Sequence, residues 1–456
     1  MKKYHTFLIL FFIASTLVGQ KVKIEDLLLI KPIYTQKLNA ANLTNNTVQL
    51  KMDFNSPVIL NASSANPLKN LSILKVELYY TAFQVSERFS QPKLNKERLE
   101  NLKSIFPELF DQSYTTWEFK AQNDCKEEQT ARSYFHGFVI TYIPRPTAED
   151  TKKEITKINA ILKSDSLGFD SVYNDYFPRI KNKKIKTGFY IPVSKRKREM
   201  GIVYTKKSVF NRKPQYVNKV DTLGPGKEYH KFVEGKDALA FVKRNVKDST
   251  VFSVLRRQNK WREVAFVCDV TGSMSPYTTQ LLVWYKLNCM SNTINYFTFF
   301  NDGDNKEDRK KKIGNTGGIY NVEAVRYDDV EAGIQKAMMA GSGGDGPENN
   351  CEALLETIKH KPDAKEYVMV ADNFANVKDI KLMSEINKPI HIIICGMGNA
   401  IVNTDYLDLA RATKGSIHSI EQDIDNLMSL NEGQTITFNG IKYILHKGRF
   451  HKLTGM

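Results

Sequence analysis

Two hydrophobic rhythms divide the chain. From Glu263 onward, short unbroken apolar runs alternate with stretches whose apolar residues recur every three or four positions. The runs at 264–269, 294–300, 318–325, 367–372, 390–395 and 416–420 predict strands. The intervening stretches predict helices at 275 to about 292, 328–340, 348–359, 377–386 and 404–412, the first opening on Ser275-Pro276 with proline at its first helical position. Strands apolar on both faces and joined through helices predict an α/β, doubly wound parallel sheet over residues 262–430. The tail, 431–456, reads as a β-hairpin whose strands 435–438 and 441–446 flank Asn439-Gly440, the signature of a type I′ turn.

The first half is patterned differently. Residues 48–54, 74–83, 115–120 and 135–143 are rich in β-branched and aromatic positions and predict strands, while 95–106 and 147–162 have helical spacing. This predicts an α+β domain over 21–165 that carries no recognisable chemical motif. His136 sits in an apolar strand and reads as a satisfied core histidine.

Composition and charge sharpen the picture. With 41% apolar and 25% charged residues the chain has material for real cores, which excludes disorder throughout. The 5 cysteines are scattered and four lie in apolar contexts, so buried thiols are expected rather than a disulfide framework. The formal charge of +16 is concentrated: residues 179–262 hold 24 Lys and Arg against 6 Asp and Glu, a net of +18. The stretch 166–261 therefore reads as a basic linker with one short strand near 188–193. Its charge suits either a solvated face or attraction to a polyanionic surface. No recognisable nucleic-acid module accompanies it, so no nucleic-acid partner is expected. Residues 1–20 combine Met1-Lys-Lys with an apolar run of about a dozen residues, which predicts a signal peptide or, alternatively, an uncleaved anchor. An exported protein that does not span the membrane when mature follows from that reading.

In a doubly wound sheet ligands sit beyond the carboxyl ends of the strands. Three loops deliver oxygen donors there: Asp269-Val-Thr271-Gly-Ser273, Gly341-Ser-Gly-Gly-Asp345-Gly-Pro-Glu348, and Asp372-Asn373. A donor set without His or Cys suits a hard cation, Mg²⁺, Mn²⁺ or Ca²⁺. Asp269, Thr271, Ser273, Asp345 and Asp372 are the candidate metal ligands, with Glu348 as an alternative to Asp345.

Asp-x-Thr-x-Ser after a buried strand, an acidic Gly-rich loop before a helix and an Asp after a later strand together resemble the von Willebrand factor type A domain. The resemblance covers about residues 262–430. It implies a Rossmann-like fold and a metal-ion-dependent adhesion site, with Thr271 in place of the motif's first Ser and Asp345 where a Thr is commoner. It also implies binding of a protein ligand, through an acidic residue of that ligand; the signal peptide would place that binding in the periplasm, at the cell surface or outside. A purely stabilising metal in an envelope structural protein is the alternative, and a metal-dependent hydrolase a third reading. No catalytic constellation beyond the metal site is found: Gly341–Gly346 lacks the Lys-Ser/Thr of a phosphate loop, and position 271 is Thr where a haloacid dehalogenase-type enzyme needs Asp.

Overall fold

The computed structural model describes residues 21–83, 86–163, 189–192, 204–210, 213–216, 237–246, 248–289, 294–324, 326–341, 343 and 346–453. The expected signal peptide, most of the basic stretch 179–236 and Asp345 lie outside the described residues.

Strand β1 (Ile33–Thr35), β2 (Thr47–Met52), β3 (Ile73–Thr81), β4 (Thr116–Gln122) and β5 (His136–Tyr142) form one sheet in the order β1-β4-β3-β5-β2. β3 and β4 are parallel and are joined by helix α2 (Gln91–Ile105), which follows the short α1 (Ile24–Leu27). The core beneath this sheet includes Leu78, Leu99, Leu102, Phe110, Phe119 and Phe138. Short helix α3 (Glu128–Ser133) precedes β5, and α4 (Ala148–Lys163) follows it. In the basic stretch, β6 (Phe189–Pro192), β7 (Tyr204–Phe210) and β8 (Lys213–Tyr216) make an antiparallel sheet of three strands, where the sequence predicts one.

Helices α5 (Asp237–Asn245) and α6 (Thr250–Arg257) lead into a seven-stranded sheet. Its strands are β9 (Val264–Asp269), β10 (Ile294–Phe300), β11 (Ile319–Glu323), β12 (Glu366–Asp372), β13 (Ile390–Cys395), β14 (Ser416–His418) and β15 (Asp423–Ile424). The order is β11-β10-β9-β12-β13-β14-β15, with β10, β9, β12, β13 and β14 parallel and both edge strands antiparallel. The chain leaves β9 in one direction, to β10 and β11, and returns to its other side at β12.

Alternation along β9 shows why its sequence is continuously apolar. Phe266 and Cys268 enter a core with α4, α5, α6, α7 (Ser275–Asn288) and α8 (Tyr327–Ala340). Ala265 and Val267 enter the opposite core, with α9 (Asn350–His360), α10 (Thr404–Ala412) and the small sheet β16 (Thr435–Phe438), β17 (Ile441–His446) and β18 (Arg449–Lys452). Both faces exclude water, so neither needs polar residues. Ile158 and Leu162 of α4, read from sequence as the end of the first unit, are buried in the core of the large sheet. Asn439 and Gly440 have φ of 47° and 80°, as a type I′ turn requires.

One predicted helix is corrected. Residues 377–386 form only a 3₁₀ turn at Ile380–Glu385. The amides of its expected first turn are spent elsewhere: Val377 donates to Asp405 and Lys378 to the Glu348 carbonyl. The same pairing holds Glu348 extended, so α9 begins at Asn350 rather than at 348. Among the described residues no helix is long and apolar enough to cross a membrane.

Candidate functional site

β9 and β12 are neighbours at the point where the strand order reverses, and each ends in an aspartate. Such a reversal parts the following loops and opens a crevice. Asp269 and Asp372 thus stand side by side, 1% and 5% exposed. Oδ1 of Asp269 accepts hydrogen bonds from the Thr271 amide (2.8 Å) and hydroxyl (2.6 Å). Its Oδ2 is buried and has no hydrogen-bond partner. Asp372 accepts from the Phe374 amide (2.9 Å) and from the Ser273 hydroxyl (2.5 Å).

Burial pushes the Asp269 carboxyl up to about 7; the Thr271 hydroxyl opposes the shift, and the charge of Asp372 adds to it. Burial also raises Asp372, against the hydrogen bond from Ser273. A buried carboxylate oxygen with no donor is costly when ionised, and a cation removes that cost.

Gly343 and Glu348 come from the acidic loop. Gly343 has φ +88°, and a Cβ there would stand 3.1 Å from Cγ2 of Thr271, so only glycine brings the loop this close without strain. Glu348 is buried and is held by its backbone, which donates to Asn376 O and accepts from Lys378 N. Asp269, Thr271, Ser273, Asp372 and Glu348 are therefore gathered at one place, while Asp345 lies outside the described residues.

The opposite wall comes from the first half of the chain. A cleft of about 640 Å³ is lined on one side by Thr271, Ser273, Glu348 and Asp372, and on the other by Leu71, Ile143 and Pro146. A Cβ on Gly272 would fall 2.4 Å from Cγ of Pro146. Gly346 N donates to Asn70 O at 2.6 Å, and Arg145 pairs with Asp308 at 3.0 Å. Farther out, Asn399 donates to Tyr114 O and Lys21 pairs with Asp405. The sequence offers little warning of this wall; Gly272, inside the motif, is its one trace.

A second feature missed from sequence is Asp302, fully buried just beyond β10 with φ +59°. Lys311 and Lys378 reach it at 2.6 and 2.7 Å. Asn301-Asp-Gly-Asp304, directly after a strand at the same edge, is the signal that could have found it. Its charge is matched by lysines, unlike that of Asp269.

The all-oxygen donors at the crevice fit a hard divalent cation, Asp269 Oδ2 being the atom that lacks a partner. Among the described residues no three His, Cys, Asp or Glu side chains are placed to hold a metal ion by themselves, so the hydroxyls of Thr271 and Ser273 would be needed. His136 is buried in β5 with Nε2 2.9 Å from Ala131 O and stands away from this site. The chain matches no protein-family model, no curated protein and no solved structure.

Proposed function

We propose that residues 262–430 are a von Willebrand factor type A domain, Rossmann-like, with a metal-ion-dependent adhesion site, and that the protein binds a ligand through a divalent cation rather than catalysing a reaction. The observation that carries this reading is the buried, partnerless Oδ2 of Asp269 beside Asp372 at the reversal point. Asp269, Thr271, Ser273 and Asp372 would hold the ion, with Glu348 or Asp345 completing the set. When bound, the cation supplies a fixed positive centre at which an acidic group of the ligand completes the coordination. Thr271 and Ser273 orient the two carboxylates, each by a hydroxyl hydrogen bond.

The place of action belongs to the same proposal: export directed by residues 1–20, with work done in the periplasm, at the cell surface or outside. The +18 of residues 179–262 would draw the protein to polyanionic surfaces there, an attraction that salt weakens.

Titration calorimetry of the mature chain tests the central claim. Wild type should take up one Mg²⁺ per chain and Asp269→Ala none. Equal affinity in the two proteins would sink the reading.

A further inference from the structure

The metal reading leaves open what kind of body can reach the ion. We infer that the ligand is a carboxylate on a slender frame, a small organic acid or a single extended acidic peptide, and not the face of a folded protein. The inference rests on the proposed metal site and adds the shape of its access.

Among the described residues, Thr271, Ser273, Glu348 and Asp372 of the site line the cleft. Asp269, Thr271 and Asp372 are buried, and Ser273 opens into a space of about 640 Å³. That volume lies within the ~300–1,000 Å³ usual for small-ligand pockets. The second wall is fixed to the first at three points. Pro146 stands against Gly272 so closely that a methyl would collide. Asn70 O accepts from Gly346 N, joining the strand-to-strand loop before β3 to the acidic loop itself. Arg145 pairs with Asp308 across the same junction.

The chemistry of the walls points the same way. Leu71, Ile143, Pro144, Pro146 and Ala375 give an apolar lining that suits the carbon frame of a ligand. Among the lining residues the cations Arg145 and Lys153 are equalled in number by Asp150 and Glu154, and Arg145 is already paired with Asp308, so the rim carries no excess of positive charge. An acidic group is then drawn by the ion at the floor rather than by the rim. A folded surface would have to displace the wall, whereas a thin chain enters along it.

The mature full-length chain is titrated first with Mg²⁺ alone. At saturating Mg²⁺ it is then titrated with succinate, with a capped Gly-Glu-Gly peptide, and with a compact folded protein bearing surface glutamates. Binding of succinate alone identifies a small acid, and binding of the peptide an extended segment; either, abolished by chelator, supports the inference. Leu71→Trp, filling the cleft from the wall, should leave Mg²⁺ affinity within about twofold and weaken the slender ligand at least tenfold. Ile143→Phe serves the same purpose if the tryptophan variant does not fold. Absence of Mg²⁺ binding overturns the metal reading, and this inference with it. Intact Mg²⁺ binding together with equal affinity for the folded protein, no affinity for either slender probe, or indifference to both wall variants overturns this inference alone.

Discussion

Ser273 donates its hydroxyl to Asp372 at 2.5 Å, across 99 residues of sequence. That bond joins the loop after β9 to the end of β12 and leaves Thr271 to serve Asp269. Each aspartate therefore has its own hydroxyl, and neither forms an ion pair with a lysine or arginine among the described residues. Asp302, a few positions beyond β10, has two lysines. The contrast separates an acidic group neutralised by lysines from two that the described residues leave without a cationic partner.

The first prediction follows from that contrast. Asp269→Asn keeps an oxygen to accept from Thr271 but removes a buried, unmatched charge. Without metal at neutral pH the variant should be more stable than wild type by about 1 kcal/mol, the small end of the cost of an unpaired buried group. Its stability should no longer rise with Mg²⁺, which stabilises only a protein that binds it. Urea unfolding with and without Mg²⁺ measures both quantities. A variant that is less stable than wild type, or that still responds to Mg²⁺, contradicts the argument.

A second prediction concerns acid stability. His136 donates from Nε2 to Ala131 O, packs edge-on to Phe54, and has its Nδ1 buried without a partner. Burial lowers its pKa to about 4, and the nearby Arg98 cation adds to the effect. The folded value lies below the unfolded one of roughly 6.5. The contribution of the neutral ring is therefore present above about pH 6.5 and is lost as pH falls toward 4, with a limit of about 3 kcal/mol. His136→Phe should lose the hydrogen bond at neutral pH, about 1 kcal/mol, yet hold its stability better in acid. Unfolding midpoints taken from pH 7.5 to 4 should converge and then cross, the variant becoming the more stable in acid; parallel profiles would exclude the mechanism.

The third prediction lies at the opposite end of the sheet. Glu366, His391, Ser416, His418 and Asp423 form a hydrogen-bonded chain with successive distances of 3.0, 2.7, 2.6 and 2.8 Å. Arg257 closes it with two bonds to Asp423. Burial lowers the pKa of both histidines. Ser416→Ala removes the central hydroxyl and leaves two ring nitrogens without their partner, a loss of about 2 kcal/mol or more. Because the chain sits at the amino ends of β12, β13 and β14, Mg²⁺ affinity should not change. A stability loss below about 0.5 kcal/mol, or altered Mg²⁺ binding, would count against this account.

What could be read from the sequence follows from what the residues face. β9, β10 and β13 were legible to the residue because both faces are buried and their ends meet polar turns. β1 was not, since Ile33 and Tyr34 are exposed and the strand is defined by its pairing with β4 alone. The histidine chain was invisible for another reason: His391 and Ser416 become neighbours through strand register, 25 residues apart. At the candidate site the donors Asp269, Thr271, Ser273 and Asp372 were legible as a motif with its loops. The wall built by Asn70 and Pro146 was not, because a backbone carbonyl and a ring packed on Gly272 leave no pattern in the sequence beyond that glycine.

The last prediction decides which acidic residue would complete the proposed metal set. Glu348 and Asp345 lie three positions apart in the Gly-rich loop. Glu348 is buried, lines the cleft, and is fixed by backbone pairing with Asn376 and Lys378. Its side chain therefore starts from a backbone fixed at two points, which suits a positioned donor. Glu348→Gln keeps the size and one neutral oxygen but removes the charge, so Mg²⁺ affinity should fall at least tenfold. Asp345→Asn should alter it by less than about threefold. Calorimetry on the two variants, with circular dichroism as the control for folding, compares them directly. If Asp345→Asn is the damaging change and Glu348→Gln is neutral, the donor is Asp345, and the fixed backbone of Glu348 serves only to start α9.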